Sequence, residues 1–249
     1  MKLALCSRAA LVIAAMASAG FMVCPAVAAA AATSRAAAPA PSRFAIRLLD
    51  KYRSLMAVFQ KPPNMIFTYT QSHGGASRIV TGTHRVYRDT SGFQRNETLE
   101  VNGSSLHPPR VQTFFRSVWP YHADQFAVDA DAYGASFVGV ATINRRRSYV
   151  YAVKRFYPAR FEITELALDP GSGLPLRERY AVTSAGCSAR GEIDFAAAGP
   201  YWLPTFVSAQ CYSADPKNTV LYKDTIRFSE YLFPAAIPKD VLHPPGGGA

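Results

Sequence analysis

The sequence predicts a mainly β fold of the α+β class: a curved antiparallel sheet or incomplete β-barrel, with an N-terminal helix and one or two short helices on its concave face. Most of the chain consists of short runs rich in β-branched and aromatic residues, separated by turn residues. These turns are too short for the helical crossovers that parallel strands need. With 49% hydrophobic and 18% charged residues, the 249-residue chain has the composition of a folded protein.

The N-terminus has the pattern of an export signal. Lys2 and Arg8 precede an apolar run from Ala9 to Cys24, and Ala26-Val27-Ala28 supplies the small residues of a cleavage site. We therefore predict a signal peptide over residues 1–28 and an exported protein, periplasmic or extracellular, that is soluble after cleavage. An uncleaved N-terminal anchor is the alternative, because the uncharged run continues into the following alanines and is long enough to span a bilayer.

The rest of the chain divides by composition. Residues 29–42 are almost entirely Ala, Pro, Ser and Thr, which predicts a disordered lead-in. Residues 43–243 contain all the predicted helices and strands, and we expect them to form a single β-rich domain. Residues 244–249 are Pro, Gly and Ala only, and we expect a loose tail.

Two segments have the apolar spacing of helices. In the first, seven apolar residues recur at helical spacing from Ala45 to Phe59, Ser42 is in position to cap the N-terminus, and Pro62-Pro63 ends the helix. The second opens at Pro108-Pro109 and is stopped by Pro120. It carries apolar residues at i, i+3, i+4 and i+7, namely Val111, Phe114, Phe115 and Val118.

The remaining runs are predicted to be strands of an antiparallel meander. Leu166 and Leu168 change phase relative to Phe161 and Ile163, which predicts a bulge near Thr164-Glu165. The predicted strands cover residues 65–71, 78–87, 93–101, 137–144, 148–156, 161–168, 176–183, 187–195, 201–211 and 219–229.

Two cysteines, Cys187 and Cys211, remain after the signal peptide, and an oxidising compartment favours a disulfide between them. They lie on two strand-like runs joined by a turn. If the turn is centred on Gly199, Cys187 lies directly opposite Cys211 and Phe195 opposite Leu203. The alternative is a pair of buried free thiols.

No motif in the sequence specifies a catalytic residue, a cofactor or a metal site. The five histidines are dispersed and no pair has the spacing of metal ligands. The run from Gly134 to Gly139 is one residue too long for the nucleophile motif Gly-x-Ser-x-Gly. A hydrolase with a dispersed site is the less favoured alternative, and it requires a Ser or Asp within hydrogen-bond reach of a histidine in a cleft.

The chain is basic, with a formal net charge of +10. Its densest group of basic residues, around Arg145–Arg147, is able to contact an anionic membrane surface. The alternative is a solvated turn that keeps sheet edges unpaired. We expect no nucleic-acid partner, because the chain has no nucleic-acid-binding motif. The candidate anion-binding residues are Arg145, Arg146, Arg147, Lys154 and Arg155.

Three stretches resemble the LolA-like superfamily of periplasmic lipoprotein carriers, outer-membrane lipoprotein-sorting proteins and related envelope sensor domains. They are Leu48–Gln60 feeding Ile66–Thr70, then Gly199–Pro204, and finally Ile226–Phe233 with Ile237-Pro238. The resemblance implies an incomplete antiparallel β-barrel, closed on its concave side by helices, whose apolar cavity holds acyl chains. It carries over no catalytic residues.

Together these features predict an exported, non-catalytic protein that binds a hydrophobic ligand, such as the acyl chains of a lipid or lipoprotein, in a half-barrel cavity. Acyl-chain binding requires shape and apolar burial rather than catalytic groups. The alternative is an envelope sensor or scaffold domain that binds another protein through an exposed apolar patch. The candidate ligand-lining residues are Phe67, Tyr69, Phe115, Tyr149 and Tyr151.

Overall fold

The computed structural model confirms a mainly β, antiparallel fold. In the part of the chain that the structure describes, eleven strands form one sheet in the spatial order β4-β3-β2-β1-β11-β10-β9-β8-β7-β6-β5, so β4 and β5 are its two ends. The strands are Met65–Gly74 (β1), Ile79–Arg88 (β2), Gln94–Val101 (β3), Ser104–Phe114 (β4), Tyr133–Ile143 (β5), Arg146–Arg155 (β6), Phe161–Leu168 (β7), Pro175–Ser184 (β8), Cys187–Ala198 (β9), Tyr201–Tyr212 (β10) and Val220–Leu232 (β11).

Among the described residues, three helices accompany the sheet: α1 (Arg43–Ala57), a short 3₁₀ helix (Ala123–Phe126) and α2 (Lys239–Leu242). None of the helices that the structure describes is both long and apolar enough to cross a membrane. The residues that the structure describes are 42–75, 78–114, 122–184, 187–213 and 219–242.

Helix α1 forms as the sequence predicts. The Ser42 side chain caps it by accepting a hydrogen bond from the backbone N–H of Ala45, at 3.2 Å. One face of the helix is buried against the sheet. We call the face of the sheet against which α1 packs the inner face. The α1 residues buried there are Ala45, Leu48, Leu49, Tyr52 and Met56.

Polar contacts fix the position of α1 on this inner face. The Tyr151 hydroxyl donates to the carbonyl of Ala45 at 2.6 Å. The Tyr52 hydroxyl accepts from the backbone N–H of Val128 at 3.1 Å and donates to a Glu178 carboxyl oxygen at 3.5 Å. Both Tyr52 and Glu178 are 0% exposed, so this contact lies entirely inside the core.

The ten predicted strand runs are all strands, and β7 has the predicted bounds. The register between β7 and β8 shifts between Ile163 and Glu165, which confirms the predicted bulge. Strand β5 begins at Tyr133, earlier than predicted, because the Asp-rich loop ends in a turn at which the Tyr133 N–H bonds the Asp129 carbonyl.

The predicted second helix is wrong. Its described part belongs to β4, which follows a tight reversal at Asn102 (φ 51°) and Gly103 (φ 79°) and pairs with β3. Val111 stays 39% exposed, so its helical spacing with Phe114 does not mark a buried stripe. Pro108-Pro109 is tolerated because β4 is a terminal strand of the sheet. The end of the predicted helix, including Phe115, lies outside the described residues.

The predicted register of the Cys187–Cys211 hairpin is also wrong, although the disulfide is present. The turn has two central residues, Gly199 and Pro200, so Tyr201 pairs with Ala198. A bulge between Pro204 and Phe206 shifts the pairing again and places Cys211 opposite Ala189. The two cysteines are still bonded, with Cα atoms 5.7 Å apart.

The buried core has two parts. The larger part joins α1 and the 3₁₀ helix to the inner face of β5–β10. The smaller part is centred on Met65, Phe67, Val86 and Leu203, and none of its described members belongs to a helix. Phe228 packs against both parts. The inner face therefore continues past α1 onto β1, β2 and β11.

Candidate functional site

Aromatic rings line the inner face on the part of the sheet that lies beyond α1. Tyr69 lies opposite His84 on β2 and opposite Phe228 on β11, so strand register places the three rings side by side. The Tyr69 and His84 rings stack with centroids 4.7 Å apart, and Tyr69 and Phe228 are 6.1 Å apart. Phe67 and Tyr231 extend this group, with centroids 5.6 Å apart. We call these five residues the aromatic strip.

The aromatic strip is uncharged at neutral pH. Burial raises the pKa of Tyr69 to about 12 and raises that of Tyr231 well above its ordinary value. Burial lowers the pKa of His84 below 6.5, and its Nδ1 hydrogen-bonds the Thr98 hydroxyl at 3.1 Å. The Tyr231 hydroxyl donates to the Pro204 carbonyl at 2.6 Å. The strip therefore presents neutral ring faces.

Two glycines make room for rings on this face. A Cβ on Gly82 would lie 2.7 Å from Nε2 of His84, and a Cβ on Gly191 would overlap the ring of Tyr180. Tyr180 is buried, and its pKa is raised mainly by this burial and to a smaller extent by the negative charge of Asp224. Because these glycines carry no side chain, the His84 and Tyr180 rings can lie against the sheet.

A polar group adjoins the strip farther along β1. His73 Nδ1 contacts a carboxylate oxygen of Asp224, and both side chains are partly exposed. The Tyr222 ring lies 5.5 Å from the His73 ring, and its hydroxyl is 3.9 Å from Sγ of Cys187. This contact supplies the Asp within hydrogen-bond reach of a histidine that the hydrolase alternative requires. Among the hydrogen bonds of the described residues, no Ser, Thr or Cys is bonded to His73.

The structure brings two of the five predicted lining residues into the strip, namely Phe67 and Tyr69. Tyr151 is buried beneath α1, and Tyr149 packs its ring on Phe44 of α1 at 5.0 Å. Phe115 lies outside the described residues. Phe228, His84 and Tyr180 also lie on the inner face but were not predicted, because alternation along β2, β8 and β11 shows which residues share a face and not which face is the inner one.

The predicted basic residues do not form one patch. Arg145, Arg146 and Arg147 lie at the β5–β6 turn, whereas Lys154 and Arg155 lie at the other end of β6, roughly 23 to 33 Å away at ~3.3 Å per residue. Arg146 pairs with Asp169 at 2.5 Å and lies over the Trp202 ring. Arg155 lies over the Tyr133 ring, with its guanidinium carbon 5.3 Å from the centroid. The exposed members are Arg145, Arg146, Arg147 and Lys154.

The surface beside the aromatic strip has a shallow depression, and the described residues form no cluster of metal ligands. A depression of about 270 Å³ lies against β1, β2, β3 and β11, and most of the residues that line it are polar. Within the described ranges, no three His, Cys, Asp or Glu side chains lie close enough together to hold a metal ion. The depression is lined by Thr70, Gln71, Ser72, Thr81, Gly82, Thr83, Glu100, Thr225 and Arg227.

No protein-family model and no curated protein matches the chain. Among solved structures, it is similar to a DUF1329 family protein from Desulfovibrio piger (10% identity, 79% of this chain and 96% of that chain, TM-score 0.43). It is also similar to a LolA superfamily protein from Nitrosomonas europaea (10% identity, 79% of this chain and 96% of that chain, TM-score 0.37). A third similar structure is described as an outer membrane lipoprotein-sorting protein domain from Vibrio parahaemolyticus (12% identity, 78% of this chain and 97% of that chain, TM-score 0.42).

LolA-like proteins, which the sequence resembles, are thus among the solved structures to which the chain is similar. The identities are 10 to 12% and the TM-scores are below 0.5, so these likenesses carry no argument about function. What the protein binds has to be inferred from its own residues.

Proposed function

We propose that the protein is an exported, non-catalytic binding protein that holds a hydrophobic ligand, the acyl chains of a lipid or lipoprotein, against the aromatic strip. The observation that carries the proposal is the placement of uncharged rings, four of them half-buried, around the smaller part of the core, to which no described helix residue belongs. Acyl chains bind through apolar burial and make no directional contacts, which suits a surface of ring faces.

The order of residues along β1 suits an amphiphilic ligand. The side chains of β1 on the inner face are Phe67, Tyr69, Gln71 and His73. The strand therefore changes from aromatic to polar between Tyr69 and His73, which are roughly 13 Å apart along it. His73 is paired with Asp224 at the polar end. We expect the acyl chain to cover the rings and the polar head group to lie near this pair.

Single ring deletions test this proposal. We expect Tyr69→Ser and Phe228→Ser each to weaken binding of a dansyl-labelled fatty acid by about tenfold or more, since each removes roughly 1.5–3 kcal/mol of apolar burial. Fluorescence titration of the full chain measures the affinity. Phe206→Ser is the matched control, because the half-buried Phe206 ring lies under Arg227 on the opposite face of the sheet.

The control separates binding from folding. We expect all three variants to lose similar thermal stability, whereas only the two inner-face variants lose affinity. Equal loss of affinity in Phe206→Ser, or unchanged affinity in both inner-face variants, would contradict binding at the aromatic strip.

A further inference from the structure

Strand β5 is an edge of the sheet that no second described strand covers. It is a terminal strand of 11 residues, and among the described residues it pairs only with β6. The backbone N–H and C=O groups on its other side are therefore available to an added strand. Its side chains Val138 and Val140 are 43% and 49% exposed.

The opposite edge of the same sheet is built differently. Strand β4 contains Pro108, Pro109 and Arg110, and proline and charge are the residues by which proteins block edge pairing. Strand β5 has neither a proline nor a charged residue. Its bulge between Phe137 and Gly139 interrupts pairing locally and leaves Gly139–Ile143 as a regular stretch.

The charge around β5 indicates what would pair with it. Between Ala132 and Phe161 the chain has six basic residues and no acidic one. Arg145 and Arg147 are exposed at the β5–β6 turn, immediately after the regular stretch. Antiparallel pairing with β5 of a second copy would place side by side two segments that each carry six positive charges and no negative one, and this repulsion between like charges disfavours a dimer. An anionic membrane would satisfy the cations but not the row of backbone donors and acceptors.

We propose that β5 binds an extended acidic segment of a partner protein as an additional antiparallel or parallel strand along Gly139–Ile143. The backbone groups of the segment would pair with the open edge, its carboxylates would lie beside Arg145 and Arg147, and its apolar residues would cover Val138 and Val140. This surface is formed by β5, whereas the aromatic strip is formed by β1, β2 and β11, so it does not depend on the proposed ligand site.

The test uses the full chain and a short, end-capped, fluorescein-labelled peptide in which Glu and Val alternate. We expect the peptide to bind by fluorescence anisotropy and to slow hydrogen exchange of the β5 amides but not of the β4 amides. The same peptide N-methylated at alternate residues should bind about tenfold more weakly or worse, because it cannot form the strand ladder.

Matched protein variants test the contribution of charge. The double variant Arg145→Gln/Arg147→Gln should weaken peptide binding by about tenfold. The control, Arg78→Gln/Arg110→Gln, removes the same net charge from exposed positions at the β2 start and on β4, and it should leave binding unchanged.

Three results would overturn the proposal. The first is equal binding of the N-methylated and unmodified peptides. The second is protection of the β5 amides by self-association of the chain in the absence of peptide, seen as a dimer in sedimentation. The third is protection of the β5 amides by phosphatidylglycerol vesicles but not by the peptide.

Discussion

Loss of the Cys187–Cys211 disulfide is expected to lower the free energy of unfolding by about 3–4 kcal/mol. The two cysteines are 24 positions apart, and cross-linking a loop of that length restricts the unfolded chain by about this amount in the chain-entropy model. Cys211 is fully buried on β10, so its replacement also disturbs the packing beside β9 and β11.

The double variant Cys187→Ser/Cys211→Ser measures this contribution by urea unfolding. The wild-type protein in reductant should unfold at nearly the same urea concentration as the variant, and the variant should not respond to reductant. If the variant and the oxidised wild type had the same free energy of unfolding, the disulfide would contribute nothing to the fold.

The second large effect is a fall in stability as pH rises, caused by Glu178. This side chain is 0% exposed, its Oε1 accepts from the Tyr52 hydroxyl, and no described group hydrogen-bonds its Oε2. Burial raises the pKa of Glu178 well above 4.5, so the carboxyl group is neutral in the folded protein over a pH range in which the unfolded chain ionises it.

The sign follows from proton uptake. Above about pH 4.5 the folded state holds a proton at Glu178 that the unfolded state has lost, so the free energy of unfolding falls as pH rises toward the folded pKa. The slope from one group is at most about 1.4 kcal/mol per pH unit. His122 acts in the opposite sense, since burial and the charges of Lys61 and Arg88 lower its pKa to about 3. Its contribution to stability increases as pH rises toward 6.5.

Comparison of the wild type with Glu178→Gln isolates the contribution of Glu178, because His122 is common to both proteins. Glutamine has the same shape and stays neutral, and its carbonyl oxygen can accept the bond from Tyr52. We expect the variant to gain stability relative to the wild type as pH rises above about 4.5 toward the raised pKa of Glu178. The measurement is urea unfolding at each pH.

Glu162→Gln is the control, because Glu162 is a half-buried carboxylate on β7 whose side chain points away from α1. It should keep the pH dependence of the wild type. Parallel stability curves for the wild type and Glu178→Gln would show that Glu178 is not held neutral in the fold.

Much of the fold follows from local residue patterns. The helix from Arg43 to Ala57 is predictable because its apolar stripe, its cap at Ser42 and its following prolines all agree. Strand β7 is predictable to the residue, including its bulge, because a change in apolar phase is visible in the sequence itself. The disulfide is predictable because its two cysteines lie on adjacent strands of one hairpin and an oxidising compartment favours their bonding, although the predicted register was wrong.

The remaining features depend on tertiary context. The prolines at the start of the predicted second helix are equally compatible with a terminal strand, and only the pairing of β4 with β3 distinguishes the two. The hairpin register depends on whether one or two residues form the turn at Gly199, and on a bulge that lacks a phase change. Leu176, Glu178 and Tyr180 occupy alternate positions of β8 and so share its buried face. The alternation places Glu178 among buried residues, but its charge predicts an exposed position, and the sequence alone does not decide between the two.

The same limit applies to the candidate site. Phe67 and Tyr69 are recognisable as inner-face residues because they alternate along one strand. Phe228 and His84 join them through strand pairing between β1, β2 and β11, and the β1–β11 pair brings together residues about 160 positions apart. A single sequence contains no measure of that pairing.

Native mass spectrometry tests the central claim, that the aromatic strip holds a hydrophobic ligand. The full chain is expressed with its disulfide formed, purified without detergent and weighed intact, and bound molecules are then recovered by organic extraction. We expect a lipid bound in stoichiometric amount, and its loss in Tyr69→Ser and Phe228→Ser. A protein that is empty, and that also fails to take up added fatty acid or phospholipid, would contradict the claim.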